Sequence, residues 1–189
     1  MFKRFLPLLL LPFCYTPSAQ AQQSYYTLLQ GGGQLGVLNP GNDGTFNGYT
    51  LHFIFGRNFD EKAFLGFGLG NETLRGDYSK AASAEAEART YGYDRNLFPI
   101  FIDARLPFAD FGAASRIGAL ANAGYSVKLG AVYDKGPLAK IGFFYLHDNL
   151  KRSNFTVSAS YAYQQLNYGA FHERMNHQSI QLAVGLMLK

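Results

Sequence analysis

The sequence predicts an all-β fold, an eight-stranded antiparallel up-and-down transmembrane β-barrel, and three observations carry that expectation. The composition joins 21 Gly to 17 Phe and 13 Tyr with no Trp. Glycine costs about 1 kcal/mol per helical position and aromatic side chains favour pleated surfaces, so a helical domain is disfavoured. Period-two alternation of apolar and polar residues recurs in segments of roughly ten residues separated by turn-rich stretches. Beyond the amino terminus no apolar run approaches the ~20 residues of a membrane-spanning helix. In lipid, a closed barrel is the other way to satisfy every backbone group.

The amino terminus stands apart. Met1-Phe2-Lys3-Arg4 sets two positive charges before an apolar run from Phe5 to Phe13, and Ser18-Ala19-Gln20-Ala21 follows with small residues two apart. Residues 1–21 therefore read as a secretory signal peptide cleaved after Ala21. The run is too short for a spanning helix, and Pro7 and Pro12 interrupt it. Cys14 is the one cysteine, and the bulky Phe13 before it argues against lipoprotein processing. Residues 22–189 then hold no disulfide and no cysteine metal site, and their length fits one barrel domain. Lys3 and Arg4 leave with the signal, which brings the 17 basic residues close to balance with 13 acidic ones. The high pI is accordingly no argument for nucleic acid.

Eight segments alternate. The first, from Tyr25 to Leu38, sets Gln30, Gly32, Gln34 and Gly36 against Leu29, Leu35 and Val37, and the turn cluster Asn39-Pro40-Gly41-Asn42-Asp43-Gly44 ends it. The second opposes Tyr49, Leu51, Phe53 and Phe55 to Thr50, His52, Ile54 and Gly56; Arg57 to Asp60 reverses the chain. The third sets Leu65, Phe67 and Leu69 against Gly66, Gly68 and Gly70. Alternation then lapses from Leu74 to Asn96, which reads as the longest polar connection, with an Ala/Glu centre able to form a turn or two of helix. The fourth carries Phe98, Ile100, Ile102, Ala104 and Leu106 opposite Asp103 and Arg105. In the fifth, Ile117 to Leu129 oppose Arg116, Asn122, Ser126 and Lys128, and Asp134-Lys135-Gly136-Pro137 turns the chain. The sixth has Ala139, Ile141, Phe143 and Tyr145 against Lys140, Gly142 and Phe144. The seventh sets Phe155, Val157, Ala159, Tyr161 and Tyr163 against Thr156, Ser158, Ser160 and Gln164. The eighth sets Ile180, Leu182, Val184, Leu186 and Leu188 against Gln181, Ala183 and Gly185. An even strand number suits a single-chain bacterial barrel.

Side-chain size decides which face points inward. A row of Gly, Ser, Thr and Gln facing water would make an unusually uncharged surface, whereas an eight-stranded barrel has a lumen just wide enough for side chains to fill. The large apolar face therefore meets lipid. Small inward residues let a few long ones cross the lumen, and His52, Asp103, Arg105, Arg116, Lys128 and Lys140 are expected to form an interior charge cluster. Tyr25, Tyr26, Tyr49, Tyr125, Tyr145, Tyr161, Tyr163 and Tyr168 lie near segment ends, where amphipathic rings suit a membrane interface.

Gly66-Phe67-Gly68-Leu69-Gly70 before a polar stretch, and Leu97-Phe98-Pro99-Ile100-Phe101-Ile102-Asp103-Ala104-Arg105 as a fourth strand, resemble the small outer-membrane β-barrel proteins common in Bacteroidota. These are similar in architecture to OmpA/OmpX-type barrels. The resemblance covers essentially all of residues 22–189 and implies a location and an architecture without a substrate. It implies outer-membrane lipid, lipopolysaccharide and the barrel-assembly machinery as partners. One departure is the ending Leu186-Met187-Leu188-Lys189, without the terminal aromatic that this machinery often recognises.

The remaining motifs carry little chemistry. Gly66-x-Gly68-x-Gly70 opens no helix and is no phosphate loop; close packing or curvature explains it. His177 and Ser179 are two apart, as in lipid A deacylases, but strand phase turns both inward, away from a lipid substrate. His172, Glu173 and His177 could meet a metal in the last loop, although a solvated loop is the simpler reading. The expectation is a non-enzymatic barrel in the bacterial outer membrane, without cofactor or metal, acting structurally, as an adhesin or as a binder through outer loops, chiefly residues 73 to 96. A narrow porin with a basic lumen, a lipid-modifying enzyme such as a lipid A deacylase, and a soluble calycin-like barrel are the alternatives.

Overall fold

Each alternating segment becomes one strand, and the strands close on themselves. The computed structural model describes residues 24–80, 90–112, 114–149, 153–168 and 173–189, so residues 1–21, expected to be a signal peptide, lie outside the described residues. Eight long strands run as β1 (Ser24–Leu38), β3 (Asn47–Phe59), β4 (Ala63–Lys80), β5 (Thr90–Asp110), β6 (Ser115–Val127), β8 (Gly136–Asn149), β9 (Ser153–Tyr168) and β10 (Glu173–Leu188). Two two-residue bridges, β2 (Asn42–Asp43) and β7 (Tyr133–Asp134), lie in connections. The long strands pair antiparallel with their sequence neighbours, and β1 closes the ring on β10, from Thr27 opposite Leu188 to Leu38 opposite Gln178. Within the ring, closure leaves no free sheet edge, the condition for strands to cross lipid.

The phase of the alternation holds strand by strand. In β3, Leu51 and Phe53 are 53% and 45% exposed while His52 and Ile54 are 2% and 0%. Leu65, Phe67 and Leu69 of β4 and Leu182, Val184 and Leu186 of β10 likewise point out, giving an apolar girdle. Large side chains outward and small or polar ones inward is the inverse of a water-soluble barrel. Tyr25, Tyr49, Tyr125 and Tyr161 are exposed as expected, but Tyr26 is inward and fully buried against Phe64. The inward glycines give the interior room: a Cβ at Gly68 would collide with the Phe101 ring, and one at Gly70 with His52.

The connection expected from Leu74 to Asn96 is largely strand. β4 runs on to Lys80 and β5 begins at Thr90, paired from Glu72–Leu97 through Ser79–Thr90, and residues 81–89 lie outside the described residues. Phase is kept here while polarity is inverted. Leu74, Tyr78 and Tyr93 point inward, whereas Arg75 and Asp94 point outward as an exposed ion pair at 3.0 Å. An antiparallel ladder that leaves lipid for water needs its apolar side chains inside, so the outward alternation of a lipid-facing strand disappears from the sequence.

Inside, the barrel has three storeys. At the near end, which holds Ser24 and Lys189, Tyr26, Leu28, Ile54, Phe64, Phe144 and Met187 belong to one apolar core. At the far end, Phe46, Leu74, Tyr78, Tyr93, Leu97, Leu166 and Met175 form a second. A polar belt lies between them.

Candidate functional site: the ionic belt of the lumen

The belt is built where inward positions of six strands meet. Cross-strand register aligns Gln30 of β1 with His52 of β3, Asp103 of β5 with Asn122 of β6, and Asn122 with Lys140 of β8. Pro99 lacks an N–H, and the β4–β5 ladder breaks there: paired positions stop at Leu69–Ile100 and resume at Glu72–Leu97. Glu72 enters the lumen beside this gap.

Two buried ion pairs result. Lys140 Nζ donates to Glu72 Oε1 at 2.5 Å, and Arg105 Nε donates to Asp103 Oδ2 at 3.0 Å. Asn122 Nδ2 donates to Asp103 Oδ1 at 2.7 Å, and the Tyr26 hydroxyl donates to Asp103 Oδ2 at 3.4 Å. Gln30 joins the two pairs. Its Oε1 accepts from Arg105 Nη2 at 2.8 Å and its Nε2 faces His52 Nδ1 at 3.4 Å, while His52 Nε2 meets Glu72 Oε1 at 2.8 Å. Consistent donors and acceptors along that line put the imidazole proton on Nε2, with the ring neutral. The belt then holds two cations and two anions in one network. Phe144 and Phe101 back the Arg105 and Lys140 charges from the near-end core.

Four of the six residues expected in the cluster meet here: His52, Asp103, Arg105 and Lys140. Two do not. Arg116 is the second residue of β6, at the near end, where it bonds Glu61 at 2.7 Å. Lys128 lies one residue past the end of β6, exposed at the far end. For Arg116 strand phase gives the side of the wall and says nothing of height along the axis; Lys128 lies beyond the strand, where phase no longer applies. Glu72 was the missed member. Continuing the inward phase of Gly66, Gly68 and Gly70 by two residues would have found it. With Glu72 added and Arg116 and Lys128 removed, the belt is charge-balanced among the described residues, not basic.

A second polar layer sits toward the far end. Gln181 Nε2 donates to Gln34 Oε1 at 2.7 Å, and Gln34 Nε2 donates to Ser179 Oγ at 2.8 Å. His177 Nδ1 lies 2.7 Å from Asn39 Oδ1. His177 and Ser179 are both fully buried inside the wall and engage different partners, so they form no nucleophile–base pair. His172 and the Glu173 side chain lie outside the described residues, and no metal-binding group of His, Cys, Asp or Glu occurs among those described.

At the near end Glu61 ties the hairpin mouths together. It accepts from Arg116, from Lys189 at 2.6 Å and from Asn58 at 2.7 Å. Burial alone would raise its carboxyl, but the bonds from Lys189 and Asn58 and the Arg116 charge outweigh burial and hold it below the usual carboxylate range.

A closed ring of eight antiparallel strands, an apolar outer girdle and a sealed polar interior define a transmembrane β-barrel. Among solved structures the chain is similar to Neisserial surface protein A at 15% identity, over 88% of this chain and 98% of that one, with a TM-score of 0.51. It also aligns with the outer membrane protease OmpT from Escherichia coli at 8% identity, over 88% and 94% of the two chains, with a TM-score of 0.37. The first likeness is one of fold alone, and the second is too distant to add to it. No family model matches the chain, and no curated protein matches it by sequence.

Proposed function

We propose that this chain is a bacterial outer-membrane barrel of the small Bacteroidota type, neither an enzyme nor a channel, with a structural or ligand-binding role carried by its far end. The observation behind this is the sealed belt. Glu72–Lys140 and Asp103–Arg105 close the lumen between two apolar cores, and the cavity left beside Gln30, His52, Arg105 and Lys140 measures about 10 Å3. That is room for one water at most. A conducting lumen needs a continuous wet path and a field that favours one sign of ion. The balanced belt supplies neither. Against catalysis stands the inward burial of His177 and Ser179, where no membrane lipid can reach them. Outer-leaflet lipid and lipopolysaccharide are the surroundings this girdle suits.

Planar-bilayer recording on purified, heat-modifiable protein tests the proposal. We expect no single-channel events. Discrete conductance steps from the parent protein would restore the porin alternative, and recovery from the aqueous fraction would remove the membrane assignment.

A further inference from the structure

The wall is notched at its far end. β6 stops at Val127 and β8 starts at Gly136, while β5 and β9 continue beyond them. Residues 128–135 fill that notch, and their fixing is specific. β7 lies parallel to β5, Asn96 N donates to Val132 O at 3.0 Å, and Arg95 Nη1 donates to Ala131 O at 2.7 Å. Asp134 is the anchor. Its carboxylate accepts from the Tyr93 hydroxyl at 2.9 Å, Lys135 N at 2.7 Å and Asn167 N at 3.0 Å. Gly130, at φ 87°, provides the left-handed turn.

Three cations collect around this anchor. Arg95, Lys128 and Lys135 line, with Tyr133, Asp134 and Asn167, a notch of about 70 Å3, several times the ~10–15 Å3 that one water needs. The one acid in the lining, Asp134, is buried with its oxygens occupied by three donors. Arg75, the nearest exposed cation along β4, is already held by Asp94. Lys128 and Lys135 have no ion pair among the described residues, so the notch carries an excess of positive charge on an immobilised loop. Leu129 and Val132 of the same loop are about half exposed, at 50% and 56%, and Tyr125 stands on the outer face just before it. A loop built for water has no reason to expose both. Apolar anchors beside cations, at the rim of an apolar girdle, match the level at which lipid phosphates lie.

We infer that the notch of Arg95, Lys128 and Lys135 binds the phosphate of a phosphorylated glycolipid in the surrounding leaflet. Leu129 and Val132 rest on its acyl or sugar–acyl boundary, the lysines act as mobile point charges, and Arg95 fixes the loop that carries them. This deepens the outer-membrane proposal and rests on it.

The test is a titration of folded, detergent-solubilised full-length barrel with mixed micelles of bisphosphorylated lipid A, with the same lipid dephosphorylated, and with soluble glucosamine 1-phosphate. The parent is expected to prefer the phosphorylated lipid over both. Lys128→Gln with Lys135→Gln should weaken that binding about tenfold or more, as expected for losing two charge-assisted contacts. Lys62→Gln, which removes an exposed charge at the near end, should leave it unchanged. Equal binding by parent and double variant overturns the site. So does binding of glucosamine 1-phosphate as tight as that of the lipid, which would make the notch a soluble-phosphate site. Heat-modifiable migration of every variant separates these outcomes from failure of the barrel itself.

Discussion

β4 contains both halves of a comparison. Between Leu65 and Gly70 its outward side chains are Leu65, Phe67 and Leu69 and its inward positions are glycines. Between Leu74 and Lys80 the same phase continues, but Leu74 and Tyr78 are inside and Arg75 and Asp77 outside. Period records which side of the wall a residue faces; polarity records what that side meets. The strand crosses from lipid to water within a few residues, at the level of Glu72. Ionic contacts differ accordingly. The Glu72–Lys140 pair is sealed in the lumen, whereas Arg75–Asp94 stands two-thirds exposed, with side chains at 66% and 71%.

The sharpest way to break the comparison is Glu72→Ala. It leaves Lys140 and His52 buried without their anion and should lower unfolding free energy by about 3–5 kcal/mol in urea titrations of the reconstituted barrel. Replacing both partners, Glu72→Met with Lys140→Met, should recover most of that loss, because a buried pair is repaid mainly by avoiding an orphaned charge. The near-end network comes next. Glu61 has its carboxyl held down in the folded barrel, so its contribution is present above its unfolded-state pKa and lost as pH falls through the folded value. Stability should therefore drop on acidification, and Glu61→Gln should flatten that drop. Arg75→Ala is the smallest effect. Removing one partner of an exposed pair should change stability by about 0–1 kcal/mol.

Strand number, strand phase and the lipid-facing side were legible because each rests on local period and side-chain size. His52, Asp103, Arg105 and Lys140 were found by that rule, as was the inward aim of His177 and Ser179. What was not legible was height. Arg116 and Lys128 share a face of one segment with Asn122 and belong to opposite rims; which position of that face meets Asp103 depends on inter-strand register, which is not written in any single strand. Glu72 is hidden because the alternation of the third segment is followed only as far as Gly70, before a polar stretch. The extension from Leu74 to Asn96 reads as connection in the sequence for the related reason that its outer face is polar. Position near a segment end suggests the interface for Tyr26 as for its neighbour Tyr25, but alternate phase sends Tyr25 out and Tyr26 in.

The central claim, that one strand changes surroundings while keeping its phase, is open to direct measurement. Cys14 is the only cysteine, so single substitutions Phe53→Cys, Leu69→Cys, Arg75→Cys and Asp77→Cys in a Cys14→Ser background each offer one thiol. Labelling with a water-soluble maleimide in lipid vesicles, intact and opened by freeze–thaw, should reach positions 75 and 77 and spare 53 and 69 in both cases. Equal labelling of all four positions in the vesicles would contradict the account.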